Sequence, residues 1–311
     1  MKVAVIGYGK VGMAVFSVLT SMREIDELVL VGRNQTKIQG ELTDYLDSLA
    51  INREADIKIS GGGYEKTAGA DIVIYTVGPA VKDPSQGRLE LRDGSIQVAK
   101  EVSEELNKYN KDAVIIAISN PVDLIAYSLA QFTGRSREKV IGTGTLLDSA
   151  RLCRIVAEIF DINTRDVSGY VLGEHGSSAC IIWSSVKVMG MSLDEYYSAA
   201  VGDEVKISRE KLLETVRILG YRIYEQKGFT NYGVAASTAR IVQAIIHDSN
   251  EILPVSVEMN GEYGIEKGIA LSLPCMVNKS GATPIDYLKM TDEELESLKA
   301  SADVIRKALY S

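Results

Sequence analysis

The sequence predicts an α/β protein: a Rossmann-type, doubly wound parallel sheet followed by an α+β domain. Three observations lead there. Short β-branched apolar runs alternate with helical patterns through the first half, a glycine fingerprint follows the first run, and the alternation stops near residue 145. At 311 residues the chain is long enough for about two domains. They are expected at 1–143, a dinucleotide-binding domain, and 144–311, a substrate and catalytic domain.

In chain order, Val3–Ile6, Leu28–Val31, Ile57–Ile59, Ile72–Tyr75, Val114–Ile118 and Val140–Ile141 read as strands. They are short runs rich in β-branched residues, and their alternation with helical stretches argues for a parallel sheet. Gly12–Ser21 and Leu91–Tyr109 carry helical spacing between them. A helix at Leu147–Phe160 opens the second half, and a strand and loop at Val167–Gly176 follow. Helical regions at Ser208–Lys227 and Val234–Ile246 lead to strand-like pieces at Leu253–Val257 and Ile269–Val277. In the last helix Thr291 and Glu294 form a capping box, and Leu295, Leu298, Ala302, Ile305 and Leu309 repeat at helical spacing. No repeat or low-complexity linker separates the halves, so a cleft between them is the natural site.

Composition excludes several function classes. The chain is 46% hydrophobic, and no apolar run approaches the ~20 residues of a membrane span. Net charge is −8 with no basic patch, which argues against nucleic acid; a small anion must be held by a few placed arginines. Cys153, Cys180 and Cys275 lack metal-ligand spacing, so no metal is expected, and scattered thiols fit a cytoplasmic protein. The opening MKVAVIG lacks an export signal's cleavage pattern.

Gly7-Tyr8-Gly9-Lys10-Val11-Gly12 follows a strand and opens a helix. In that setting the first glycine permits a tight turn, the second lets a pyrophosphate approach the backbone, and the third lets helix and strand pack closely. A carboxylate is expected about 20 residues on, bonding the adenosine ribose. Here the second strand runs instead into Gly32-Arg33-Asn34. An arginine beside a missing acid favours NADP(H), with Lys37 one helical turn further on adding charge. The alternative is NAD(H) with Arg33 a solvated turn residue. On the first reading, Gly32→Asp with Arg33→Ile would move preference toward NADH.

The chain has two histidines. His175 lies on a glycine-flanked turn that can face a cleft, whereas His247 follows a helix, where surface capping is the better account. Asp148 and Arg151 share one face at i and i+3. An Asp–His pair lifts the imidazolium pKa and fixes its tautomer, and Arg151 offers a planar fork to a carboxylate. An internal Asp148–Arg151 salt bridge is the structural alternative. Gly78–Arg88, framed by two prolines and two glycines, reads as a closing loop that brings Arg88 onto a carbonyl, or as a plain surface loop. Ser119–Asp123 places the Asn120 amide at the end of the fifth strand, beside the expected nicotinamide or as a helix-capping turn.

Together these segments resemble the L-lactate/malate dehydrogenase family over essentially the whole chain, through GYGKVG, ISNPVD, IGTGTLLDSAR, VSGYVLGEHG, KGFTNYGVA and GEYG. IGTGTLLDSAR, SGYVLGEHG and GFTNYG are most similar to the L-2-hydroxyisocaproate dehydrogenase branch. The resemblance implies reversible hydride transfer between NAD or NADP and a 2-oxo acid, either pyruvate or a medium aliphatic one. It makes His175 the proton donor, Asp148 its orienting partner, Arg151 the carboxylate fork and Arg88 the carbonyl polariser. Asn120 and Thr230 then line the substrate pocket, and Gly7, Gly9, Val11, Gly12, Tyr64, Gly78 and Thr143 match cofactor contacts. It also implies a homodimer or homotetramer.

Three departures from the family qualify this. Gly32-Arg33 replaces the usual acid. The closing loop has Val81 and Lys82 where malate enzymes carry an extra arginine; Val81 favours an aliphatic substrate, Lys82 a second carboxylate. Cys153 and Ser168 replace the arginine and histidine that bind fructose 1,6-bisphosphate, so no activation by it is expected. Rival readings are a malate dehydrogenase, a metal-requiring NAD-dependent glycosidase and a non-catalytic nucleotide-sensing protein.

Overall fold

The computed structural model describes residues 1–52, 57–79, 88–200 and 208–310. The first half runs β1 (Lys2–Ile6), α1 (Lys10–Leu19), β2 (Glu27–Val31), α2 (Gln35–Asn52), β3 (Lys58–Gly62), β4 (Ile72–Tyr75), α3 (Arg88–Tyr109), β5 (Val114–Ala117), α4 (Val122–Thr133) and β6 (Val140–Gly142). The second runs α5 (Leu146–Phe160), β7 (Val167–Leu172), β8 (Cys180–Val188), β9 (Met191–Ser192), α6 (Leu193–Ala200), α7 (Arg209–Lys227) and α8 (Tyr232–Ile246). It ends with β10 (Glu251–Glu258), β11 (Ala270–Asn278), β12 (Gly281–Pro284) and α9 (Asp292–Tyr310).

Strands β3-β2-β1-β4-β5-β6 pair in parallel in that order, reversing direction of build between β1 and β4. This is the doubly wound arrangement, and its ligand crevice lies beyond the carboxyl ends of β1 and β4. The strands are apolar throughout because helices cover both faces: every residue of β4 and β5 is buried. The sheet does not stop at β6. Antiparallel β10, β11 and β12 extend it to nine strands, joined through the single pair Ser256–Gly142. Strands β7-β8-β9 form a separate three-stranded antiparallel sheet. One hydrophobic cluster therefore runs through both halves, from Val5 and Phe16 to Leu271 and Leu298.

The expected strands and long helices are all present within a few residues. The capping box on α9 forms as read: Glu294 N–H donates to Thr291 Oγ1 at 3.3 Å, and Thr291 N–H donates to Glu294 Oε2 at 2.9 Å. His247 caps the C-terminus of α8, its N–H donating to Gln243 O at 2.9 Å.

Candidate active site

Two recesses lie along the carboxyl ends of the parallel strands. The first, of about 620 Å³, opens over the glycine loop and is lined by Gly7, Tyr8, Gly9, Gly32, Arg33, Tyr64 and Gly78, with Glu101, Glu104 and Glu105 of α3 on one wall. Gly7 sits at φ +116°, and a Cβ on Gly12 would lie 2.1 Å from Gly7 O, so neither position admits a side chain. A Cβ on Gly9 would meet nothing within 4 Å, which leaves that backbone open to a ligand. The first turn of α1 carries no acid and its N-cap, Gly9, makes no side-chain cap hydrogen bond, so the helix start is left to an anion. The cradle thus fits a dinucleotide pyrophosphate. Of the expected cofactor contacts, Val11 and Lys37 are not among the lining residues: the half-buried Val11 side chain packs against the core, and exposed Lys37 lies on α2. The Arg33 side chain is 81% exposed, with Nη1 3.9 Å from Glu101 Oε2.

The second recess, of about 510 Å³, is lined by Asn120, Thr143, Asp148, Arg151, His175 and Thr230, among others. Sequence-distant segments meet there for identifiable reasons. Ser149 Oγ accepts from Val171 N–H at 2.9 Å and Thr145 Oγ1 donates to Val171 O, docking the start of α5 against β7. That docking sets Asp148 under the turn that carries His175. The turn itself is pinned from elsewhere: Gly173 pairs with Ser272 of β11, and Glu174 N–H donates to Ser301 Oγ of α9 at 2.8 Å.

Asp148 serves two partners at once. Its Oδ2 lies 2.6 Å from His175 Nδ1, and its Oδ1 accepts from Arg151 Nη1 at 3.0 Å. The Asp148–Arg151 salt bridge and the Asp148–His175 pair are therefore one relay rather than alternatives. With Nδ1 engaged, the other imidazole nitrogen, Nε2, is left for a reactant. Burial alone would depress the His175 pKa, but the Asp148 carboxylate beside it outweighs this, and the net shift is upward. Burial would raise Asp148, yet His175 and Arg151 together hold it below the usual carboxylate range. His175 therefore keeps its proton toward higher pH than a free imidazole, and a reaction needing that proton should decline as pH rises through this elevated pKa. Asp148→Asn should move the midpoint of the reduction pH profile downward, together with a lower kcat; an unmoved midpoint would show that Asp148 does not set the charge on His175.

One participant carried no role in the sequence reading. Asp123, buried at the start of α4, accepts from the His175 backbone N–H at 2.8 Å. Burial pushes its carboxyl up to about 6, partly offset by Ser256 and that N–H, and its charge in turn helps to raise His175. Its signal was the acid closing the ISNPVD stretch. Gly220 was also missed: inside α7, a Cβ there would lie 3.3 Å from Arg151 Nη1, so this glycine makes room for the guanidinium. A glycine within a helical pattern was the available sign. Val81 and Lys82 lie outside the described residues, as does the Arg88 side chain; the Arg88 backbone begins α3. Among the described residues, no cluster of three or more His, Cys, Asp and Glu could hold a metal.

A glycine-cradled dinucleotide recess beside an Asp–His–Arg relay defines an oxidoreductase that works with a nicotinamide cofactor. Comparison with known proteins gives its kinship. Residues 1–142 match the NAD-binding domain of lactate/malate dehydrogenase, and residues 145–311 match the alpha/beta C-terminal domain of the same family. The chain belongs to the lactate/malate dehydrogenase family. It is 35% identical over 309 residues to L-lactate dehydrogenase 2 of Clostridium acetobutylicum, covering 99% of this chain and 96% of that protein. It is 36% identical to an L-lactate dehydrogenase of Clostridium perfringens (98% and 95% covered). The ligand-bound crystal structure of minor L-lactate dehydrogenase from Enterococcus mundtii superposes with a TM-score of 0.91 at 33% identity, covering 99% of this chain and 97% of that one.

Proposed function

We propose that this protein catalyses reversible reduction of a small monocarboxylic 2-oxo acid, pyruvate or a medium aliphatic homologue, to the L-2-hydroxy acid with NAD(H). The observation that carries the reading is the Asp148 carboxylate shared between His175 and Arg151 in one recess with Asn120 and Thr230. In the reducing direction His175 gives its proton from Nε2 to the substrate carbonyl oxygen, and it takes that proton back in oxidation. The positive charge on His175 before transfer is stabilised by Asp148. With Nη1 on Asp148, the remaining N–H groups of Arg151 form the fork for the substrate carboxylate. When bound, the nicotinamide supplies or receives the hydride. Asn120 and Thr230 bound the pocket beside it, and the family resemblance gives the polarising of the carbonyl to Arg88. Residues 1–143 then hold the cofactor and 144–311 the substrate.

Cofactor choice goes to NAD(H) rather than to the NADP(H) suggested by Gly32-Arg33. Arg33 reaches toward Glu101, and Glu104 and Glu105 line the same recess, so a 2′-phosphate would meet three carboxylates for one exposed guanidinium. Substrate choice goes to an aliphatic side chain because Ala179, Val216, Gly220 and Val234 line the pocket, while Arg217 is engaged with Ala179 O at 2.6 and 2.8 Å. Three free cysteines fit a cytoplasmic protein, and a homodimer or homotetramer is the assembly that the family resemblance implies. The absence of effector-binding residues at Cys153 and Ser168 argues for activity without fructose 1,6-bisphosphate.

The test is kcat/KM for pyruvate, 2-oxoisocaproate and oxaloacetate, each with NADH and NADPH. We expect NADH to exceed NADPH at least tenfold, and a monocarboxylate to exceed oxaloacetate. An NADPH advantage would restore Arg33 as a phosphate site. Oxaloacetate as best substrate would make the enzyme a malate dehydrogenase, with Lys82 or Arg217 taking the second carboxylate.

A further inference from the structure

The end of β2 carries a feature that the missing acid alone does not explain. Gly32 is buried and its backbone is not left-handed, so glycine is not needed there for conformation. It is needed for space. A Cβ at Gly32 would lie 2.7 Å from Tyr8 Cε1 and 2.9 Å from Tyr8 Cδ1, with Ile38 Cδ1 behind at 3.4 Å. The Tyr8 ring, from inside the glycine fingerprint, thus fills the volume that a strand-end aspartate would occupy. Tyr8 is half-buried and lines the dinucleotide recess beside Gly9 and Arg33. Among the described residues, no group hydrogen-bonds its hydroxyl.

We propose that Tyr8 and Gly32 act as one specificity-determining pair, in which the Tyr8 ring occupies the place of the absent acid and its hydroxyl binds the adenosine ribose. A phenol both donates and accepts, so it can serve a ribose hydroxyl as a carboxylate does. It does so without charge. That matters because Glu101, Glu104 and Glu105 already line this recess, and an aspartate at position 32 would add a fourth carboxylate close to the pyrophosphate. On this proposal the expected shift toward NADH on Gly32→Asp with Arg33→Ile needs Tyr8 to give way as well, because a side chain at position 32 collides with its ring. The inference rests on the nicotinamide-dinucleotide reading of this recess.

A binding cycle tests it, with NADH and ADP-ribose titrated calorimetrically against the full chain and Tm recorded for each variant. Tyr8→Phe should weaken both ligands about fivefold, the worth of one neutral hydrogen bond, with Tm unmoved. Equal losses for the two ligands would assign the contact to the adenosine half. Gly32→Asp alone should weaken NADH about tenfold or more, at a lowered Tm, since the clash must be relieved by displacing the ring. In the Tyr8→Ala background the same Gly32→Asp change should instead leave NADH binding as tight as in Tyr8→Ala or tighter. Unchanged affinity in Tyr8→Phe would overturn the hydroxyl's role, and a gain in NADH affinity on Gly32→Asp alone would overturn the pairing. If Gly32→Asp fails to fold, Tyr8→Phe still decides the hydroxyl's role. Absence of NADH binding by the wild-type chain would instead refute the dinucleotide reading itself.

Discussion

His175→Asn is expected to lower kcat for pyruvate reduction about 10³-fold, within the range that a positioned general acid contributes. The asparagine amide occupies similar volume and accepts or donates hydrogen bonds, but it has no titratable nitrogen in place of His175 Nε2 that could release a proton and take it back. Because Asp148 stays bonded to Arg151 through Oδ1, the carboxylate is not left wholly unpaired, and the fold should tolerate the change. NADH affinity, measured by calorimetry, should be nearly that of the wild type, since His175 is not among the residues lining the dinucleotide recess. Turnover within a few-fold of wild type would revive the reading of this chain as a nucleotide sensor with no proton relay.

Arg151→Lys is the second large effect. We expect KM for pyruvate to rise about a hundredfold although formal charge is conserved. Charge-assisted hydrogen bonds contribute ~1.5–3 kcal/mol each, and losing one arm of a two-pronged contact is worth one to two decades in affinity. The ammonium is also a point charge on a flexible stem. It cannot keep Asp148 Oδ1 at 3.0 Å and still present a planar edge to the substrate. Asp148, buried against both partners, would then have to choose between them, and kcat should fall as His175 loses its fixed orientation. A KM within twofold of wild type would remove Arg151 from the substrate's carboxylate.

Much of the architecture was legible because local signals and tertiary demand agree. The parallel strands had to be apolar on both faces, so Val3–Ile6, Ile72–Tyr75 and Val114–Ala117 announce themselves. The capping box of α9 is a local reciprocal bond and is readable from two residues. Strand β8, by contrast, was not read from Cys180–Val188. It is partly exposed along its middle and finds its partner by pairing with β7 through a register shift near Ser168. Nor did any local pattern say that β10 would continue the parallel sheet; a single pair at Ser256–Gly142 makes that join.

By itself, the sequence determined the doubly wound sheet, the glycine cradle and the identity of the candidate reacting groups, because each depends on residue type and short-range spacing. Only the tertiary structure decided how those groups share their charges. The turn that carries His175 is held by Ser272 on Gly173 and Ser301 on Glu174, both distant in the chain, and His175 itself by Asp123 from α4. Asp148 divides its two oxygens between His175 and Arg151, where spacing alone offered a choice of partner. At the end of β2 the sequence showed that an acid was missing, while what stands in its place follows from the Tyr8 ring lying across Gly32. Volume exclusion and shared hydrogen bonds are properties of atoms in contact, and residues far apart in the chain acquire them only when the sheet and its helices have packed.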